Sequence, residues 1–536
     1  MKNTWLFPII ISLCILVGCK KKEVNTIQQN LRISSPNELL NADPQQVYSS
    51  SDRKIMQAVF EGLVVPDPET MKPLPGVAER WKVSPDKKVY EFFLRDNAIW
   101  SDGTSVTAGD FVYAVKRALS SKFACASVDV FFPVLNAKAF FNRKIRNFSM
   151  VGIRAVNSRT LIIELEKSDP YFLITLMHQC WFPLNDRVVT SLEEYTRPLD
   201  DFSNAFKLKI ISNGPFTFAE RRPGINLFLK KNPKYWDADN VLLSSVTFFA
   251  KNNQTMAVKD FLERQIDIVE LQRDDESAIG DCLRDKELML SPAFECLGLV
   301  FNATAPTFQN KNIRLALALA IDREKLLAKI GKNKVLAAYS FIPPYDSKYD
   351  SSPLFKQDIP LARKLFEEAG YNSTAKFPPV RILCNTLETG LYAIVLEQIG
   401  EDWKNVLGID TFIDNKGIDS FFAHRKKATF DMIKVSFGGL YCNPAFIMHI
   451  FTSQDPNNYG KWANPTYDEM FRRIEKTTNK KKLRRLIKEA ELYLISEMPA
   501  IPLFFNSHSF LVRKRIRGWF PNPMNMHPLK FVYFAY

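Results

Sequence analysis

Nothing in this chain of 536 residues announces chemistry performed on a substrate. There is no G-x-S-x-G elbow to present a nucleophile and no G-x-x-x-x-G-K-[ST] loop to cradle a phosphate, so acyl transfer and nucleotide hydrolysis have no visible foundation. The five histidines, His178, His424, His449, His508 and His527, show no H-E-x-x-H spacing, and the cysteines lie too far apart for a C-x-x-C knuckle. No metal and no other cofactor is expected. Carboxylate pairs such as Glu193-Glu194 and Glu367-Glu368 sit in charged, helix-like surroundings that suit a solvated face, and no enzyme is read here. Internal repeats and low-complexity segments are also missing. Beyond residue 22, no apolar run approaches the roughly 20 residues a bilayer-spanning helix needs.

What is present begins at the N-terminus. Lys2 supplies a basic start, Leu6 to Val17 an apolar stretch of about 12 residues, too short to span a bilayer, and Leu16-Val17-Gly18-Cys19 a lipoprotein box. Residues 1–18 are therefore expected to be a lipoprotein signal peptide and Cys19 the acylated new N-terminus. A lipid membrane becomes a partner through that cysteine, because more than one fatty chain anchors stably where a single chain does not. The expected location is the periplasmic side of a bacterial cell membrane. The net charge of +14 would permit attraction to anionic lipid, peptidoglycan or nucleic acid, but nucleic acid does not suit an exported lipoprotein. Six cysteines remain past Cys19: Cys125, Cys180, Cys282, Cys296, Cys384 and Cys442. An oxidising compartment would allow disulfides, and nothing in their spacing selects a pairing.

With 46% hydrophobic and 24% charged residues, the body can bury a large core. Its pattern is mixed α/β. Strands are expected at 89–94, 161–165, 225–229, 246–250 and 297–302, each rich in β-branched, aromatic or leucine residues and bounded by turn formers. One helix is expected to start at Thr107, with Asp110 three residues on and Phe111, Val115 and Leu119 along one face. Another is expected to open at Asn312 and run through Leu326 to Gly331, and a third to run from Pro360 to Gly370. The basic run at Lys480, Lys481, Lys482, Arg484, Arg485 and Lys488 shares a helix with Leu483, Leu486, Ile487, Ala490, Tyr493 and Leu494, which makes it a solvated face.

Several stretches, taken in order, carry a family resemblance: Asp43-Pro44; Val59-Phe60-Glu61-Gly62-Leu63; PGVAERW at 75–81; Trp100-Ser101-Asp102-Gly103 followed by VTAGDFVY at 106–113; Ser212-Asn213-Gly214-Pro215-Phe216; NKNIRLALALAIDR at 310–323; and Phe430-Asp431. Together they resemble the oligopeptide- and dipeptide-binding proteins of bacterial ABC importers, extracellular solute-binding protein family 5. The resemblance implies a periplasmic-binding-protein-like clamshell: lobe I from 24–62, 206–296 and 506–536, an additional domain at 63–205, and lobe II at 297–505. It implies a monomer that captures an oligopeptide between the lobes and delivers it to permease and ATPase subunits, with no chemistry on the ligand.

A site that accepts arbitrary peptides must hold what all peptides share, the backbone and the two ends. Positions matching the family's ligand-facing ones are Ser50 and Ser51, Tyr113, Asn213 and Gly214, Arg425, Lys434, and Phe437, Gly438, Gly439 and Leu440 within the run 436–442. The departure from the family lies in that run, where Leu440 stands in place of an aspartate that pairs with the ligand's α-ammonium. Losing one partner of a desolvated charge pair costs about 2 to 5 kcal/mol, or roughly 30- to several thousand-fold in affinity. Ile418 replaces a tryptophan nearby. The expected ligand then has a blocked or modified N-terminus, as cell-wall peptides do, or reaches another acid such as Asp414 or Asp419. A metal chelate or haem in the same fold, and a non-transport adhesin or signalling lipoprotein, are the alternatives.

Overall fold

Two long strands, Leu288–Phe301 and Ala500–Val512, run antiparallel through the middle of the computed structural model and belong to two separate hydrophobic cores. The structure describes residues 29–535 apart from 197–205, 272–286, 331–334, 345–348, 386–389, 439–441 and single positions at 48, 121, 124, 170, 351, 373 and 478. The expected signal with Cys19, and also Cys282, Gly439 and Leu440, lie outside the described residues.

Both long strands sit in one 12-stranded sheet. On one side of them the order continues through 432–438, 380–384 and 411–415. On the other it continues through 268–271, 30–35, 245–250, 226–231, 216–222 and 206–207. Strand 30–35 is parallel to 245–250 and 268–271, and strand 380–384 is parallel to 411–415 and 432–438, so each flank carries its own parallel segment with covering helices. A second sheet of four antiparallel strands, ordered 78–83, 89–94, 160–164, 153–157, packs with helix Ala108–Ala118. Its interior residues Phe92, Trp100, Phe111 and Trp181 are continuous with Leu31, Ile33 and Phe248 of the long sheet. The other core, with Leu297, Leu317, Ile382, Trp403, Ile433 and Phe504, is distinct.

The expected strands all form, the last as the end of a longer one. The helix after Thr107 forms as well: the Asp110 carboxylate accepts from Thr107 N at 3.0 Å and from Trp100 Nε1 at 3.1 Å. The tryptophan-to-aspartate block is thus architectural, pinning a loop to the first turn of a helix. The helix at Ile359–Glu368 has Asp358 as its cap and Gly370 at φ +93°, as its proline and glycine require. The basic helix spans Lys480–Glu497 with Leu483, Leu486, Ile487, Ala490 and Leu494 buried.

One expectation needs correction. The helix expected from Asn312 to Gly331 is two helices, Lys311–Leu319 and Arg323–Ile330. Asp322 breaks it: its carboxylate accepts from Lys325 N at 3.0 Å, capping the second helix. Arg323 is then free to leave the helical face. It is 2% exposed and donates to the carbonyls of Ala338 and Pro502, while Arg314 donates to those of Phe308, Glu497 and Met498. Both arginines pin this helix pair to the start of strand 500–512, and burial pulls the Arg323 pKa down to about 10.

Burial, together with repulsion from Arg53, lowers the His178 pKa to about 3. The folded state therefore holds a neutral imidazole where the unfolded chain protonates near pH 6.5. Its stabilising contribution is complete above about pH 6.5 and is lost as pH falls toward 3, by up to about 1.4 kcal/mol per pH unit. Urea midpoints measured from pH 7 to pH 4 are expected to fall less steeply in His178→Asn than in the parent.

Candidate functional site

Strand 500–512 reads AIPLFF, NSHS, FLV: apolar ends in the two cores and a polar middle claimed by neither. Its partner strand loses register between Pro292 and Cys296, beside that polar middle. Glu295 stands in this irregularity. Its carboxylate accepts from Asn506 Nδ2 at 2.5 Å, and the buried Asn506 amide oxygen has no partner among the described residues. Glu295 is also directly opposite Gly438 on strand 432–438, and its Cγ would lie 3.4 Å from a Cβ added there. Directly opposed residues share a sheet face, so Glu295 lies on the same face as Gly438, Ser436 and Lys434.

The polar floor continues toward the other core. Lys54 Nζ meets Glu270 at 2.6 Å, and Asn525 donates to the other Glu270 oxygen. Burial pulls Lys54 below its usual pKa. Burial also opposes ionisation of Glu270, but the Lys54 ammonium overcomes it and holds that carboxyl low. His508, charge-coupled to both Glu270 and Glu295, is pushed by burial to about 4.

On the Gly438 side, the floor opens into a cavity of about 440 Å³ whose lining includes Asn385, Phe422, Arg425, Lys434, Ser436 and Tyr459. This is within the usual size range of small-ligand sites. Arg425 stacks 4.3 Å from the Tyr459 ring and 4.5 Å from Phe422; Lys434 Nζ lies 3.9 Å over Tyr392. The described lining holds two cations and no carboxylate, which suits an anionic group. Asn385 follows the carboxyl end of strand 380–384, where open α/β sheets bind ligands. A larger hollow of about 640 Å³, lined by Arg363, Tyr371, Lys376 and Lys404, sits at the opposite strand ends beside Pro379 and Asp410 and mixes both charges.

The expected site residues divide into groups. Arg425, Lys434 and Gly438 come together in the cavity. Phe437 is a correction: as an alternating neighbour it faces the other way, 1% exposed, against Phe341 and Phe451 in the core, and forms no wall of the cavity. Asn213 and Gly214 are engaged inside the protein. The Asn213 side chain bonds both the N–H and the carbonyl of Glu61, and Gly214 N donates to Val59. Two of the sequence blocks thus grip each other. Glu61 accepts from Tyr235 and Trp236 and pairs with Lys530, yet burial still holds its carboxyl above the usual range.

Ser50 opens the helix Ser50–Val59, although the capping side chain is that of Ser49, whose hydroxyl accepts from Asp52 N. Ser51 is buried near Lys54 and Glu270. Tyr113 donates to Asp186 at 2.6 Å, and burial followed by that carboxylate pushes its pKa up to about 12. Asp414 is buried and paired with Lys416 at 2.9 Å, and the Asp419 and Ile418 side chains lie outside the described residues. Sequence reasoning missed Glu295, Asn506 and His508. The signal available for the latter two was the polar NSHS interruption in an apolar strand.

The glycines give a contrast. A Cβ at Gly214 would come 2.5 Å from the Val59 backbone, so Gly214→Ala is expected to destabilise by about 2 kcal/mol or more in denaturant titration. Gly438→Ala meets its nearest atoms only at 3.4 Å and is expected to change stability by no more than about 0.5 kcal/mol.

A family model described as bacterial extracellular solute-binding proteins, family 5, middle, matches residues 72–459. The dipeptide-binding protein DppE of Bacillus subtilis is 28% identical over 527 residues, covering 96% of this chain and 93% of that protein. The structure of the Escherichia coli murein tripeptide binding protein MppA superposes with a TM-score of 0.77 at 27% identity, over 95% of this chain and 99% of that one. A periplasmic oligopeptide-binding protein of Borrelia burgdorferi superposes with a TM-score of 0.76 at 27% identity, over 94% and 99% of the respective chains. Two cores joined by a shared pair of strands, and this likeness over nearly the full length, lead to one conclusion: the chain belongs to the bacterial extracellular solute-binding proteins of family 5 and has their two-lobed α/β clamshell fold.

Proposed function

We propose that this protein is the substrate-binding lipoprotein of a bacterial ABC importer, anchored through acylated Cys19, that captures a peptide between its lobes and delivers it unaltered to a membrane permease. The observation that carries the reading is the polar floor where the two long strands cross between cores, continuous with a cationic cavity. The likeness to peptide-binding relatives supports the ligand class. In this reading lobe I comprises 24–62, 206–296 and 506–536, lobe II 297–505, and the additional domain 63–205. Residues 293–296 and 506–509 are the hinge, and ligand contacts to both sides favour closure.

Arg425 and Lys434 take the carboxylate end of the peptide. At the other end, the loss implied by Leu440 admits a blocked N-terminus or a different acid. Glu295 favours the second: it is a half-buried carboxylate over Gly438 whose hydrogen-bond partner is Asn506, and among the described residues the Asn506 amide oxygen lacks a donor. An ammonium group satisfies both acceptors.

Calorimetric titration with free and N-acetylated forms of one short peptide tests this. The free form is expected to bind at least about 30-fold more tightly, and Glu295→Gln to remove most of that difference while leaving the acetylated form unchanged. Tighter binding of the acetylated form would instead establish the blocked-terminus ligand. Failure of both, with a chelate or haem found in native mass spectra of the purified protein, would overturn the peptide reading. In cell fractionation, the parent is expected with membranes and Cys19→Ala released from them.

A further inference from the structure

We propose that Cys125 and Cys180 form a disulfide in the exported protein, stapling the loop after helix Ala108–Ala118 to the short turn Gln179–Trp181. Their Sγ atoms lie 3.8 Å apart, although the residues are 55 positions apart in the sequence. A disulfide bond is about 2.05 Å long, so the remaining gap of roughly 1.8 Å needs a side-chain rotation and a small shift of one segment. Among the described residues, no other pair of cysteines is in hydrogen-bond contact.

The two segments are already held together without the bond. Gln45 contacts both: its carbonyl accepts from Ala126 N at 2.8 Å, next to Cys125, and its side-chain amide donates to the Cys180 carbonyl at 3.2 Å. Arg117 fixes Gln45 in turn, donating to its side-chain oxygen at 2.7 Å while pairing with Asp43. Cys180 N is held by His178 Nδ1, and the adjacent Gln179 side chain reaches the Val47 carbonyl. The thiols are thus brought together by a built arrangement, which keeps the entropy of closing the bond low once the chain has folded.

The pair is also asymmetric in the way stepwise oxidation requires. Cys180 is fully buried, whereas Cys125 is partly exposed. The thiol–thiol contact holds Cys125 below its usual pKa, and the same contact together with burial raises that of Cys180. Cys125 is therefore the entry point. Its thiolate attacks one sulfur of a disulfide donor, such as an oxidised dithiol protein or oxidised glutathione, and expels the other as a thiolate. Cys180 then loses its proton and attacks the Cys125 sulfur of the mixed disulfide, expelling the second donor thiolate. One protein S–S bond forms and two thiol protons leave, and the donor takes up two electrons as its own disulfide becomes two thiols.

The bond would close the loop after helix Ala108–Ala118 onto the turn Gln179–Trp181, on which Gln45 and Val47 of the segment leading into helix Ser50–Val59 already rest. It stiffens the additional domain where the segment before that helix rests on it, and takes no part in ligand contact. The proposal rests on the extracytoplasmic reading of the N-terminus, and the test separates the two.

The full chain is prepared by export to a periplasm and, separately, by retention in a reducing cytosol followed by incubation with oxidised glutathione. Free thiols in each sample are trapped with N-ethylmaleimide in denaturant, and unreduced peptides are mapped by mass spectrometry. A peptide pair joining Cys125 to Cys180 is expected in both samples, lighter by two hydrogens than the separate thiols. The melting temperature is expected to fall by several degrees on reduction. Cys125→Ser and Cys180→Ser should each abolish the linked pair and the sensitivity to reductant. Exported protein in which both cysteines carry maleimide overturns the staple. Protein that is never exported overturns the extracytoplasmic reading instead, and the glutathione sample then decides whether the thiols can join.

Discussion

The pairing of strands 288–301 and 500–512 is the interaction on which the rest of the molecule depends. A single hydrogen-bonded ladder enters one core at Phe510 and Met289 and leaves through the other at Ala500 and Val300. Each core is anchored by the aromatic and aliphatic residues at one end of the ladder, and neither includes the polar stretch 506–509. That middle is where a ladder between two rigid bodies can bend at the least cost in packing. It already carries a register irregularity and polar side chains that need no apolar neighbours. In the proposed reading, hinge and candidate ligand floor are therefore the same few residues.

Buried charge reinforces this arrangement in each lobe. In one, Lys54 and Glu270 tie the helix Ser50–Val59 to strand 268–271, and Glu61 gathers Tyr235, Trp236 and Lys530 around the end of that helix. In the other, Arg314 and Arg323 spend their donors on backbone carbonyls, and Glu491 accepts from the N–H groups of Phe341 and Ile342 and from Tyr349. Buried charges persist only when their hydrogen-bonding capacity is satisfied, so each such residue dictates the position of several backbone segments at once. These ties lie within the lobes, away from the polar middle of the ladder.

Much of the secondary structure was legible in the chain because its signals are local. Thr107 with Asp110, Pro360 with Gly370, and the leucine spacing between Lys480 and Glu497 each specify an element from residues within a few positions of one another. The misread helix after Asn312 shows where local pattern stops: apolar periodicity ran on through 320–322, while the Asp322 cap and the long-range contacts of Arg323 divided it. Phe437 failed in a related way. Its neighbours Ser436 and Gly438 face the cavity, and strand alternation turns it into the core.

By itself, the sequence determined the α/β class, the export signal expectation, the family resemblance and three cavity residues, Arg425, Lys434 and Gly438. The first three rest on composition, on periodicity, or on motifs whose residues are close together in the chain, and the cavity residues on the family resemblance those motifs carry. Tertiary structure alone decided that Asn213 and Gly214 hold Glu61 and Val59, that Glu295 lies over Gly438 beside Asn506, and that Cys125 sits against Cys180. The physical reason is that each of these is a contact between segments 55 or more positions apart, or 143 or more for all but the cysteines. Pairings of that range are set by sheet register and core packing, which no window of sequence contains.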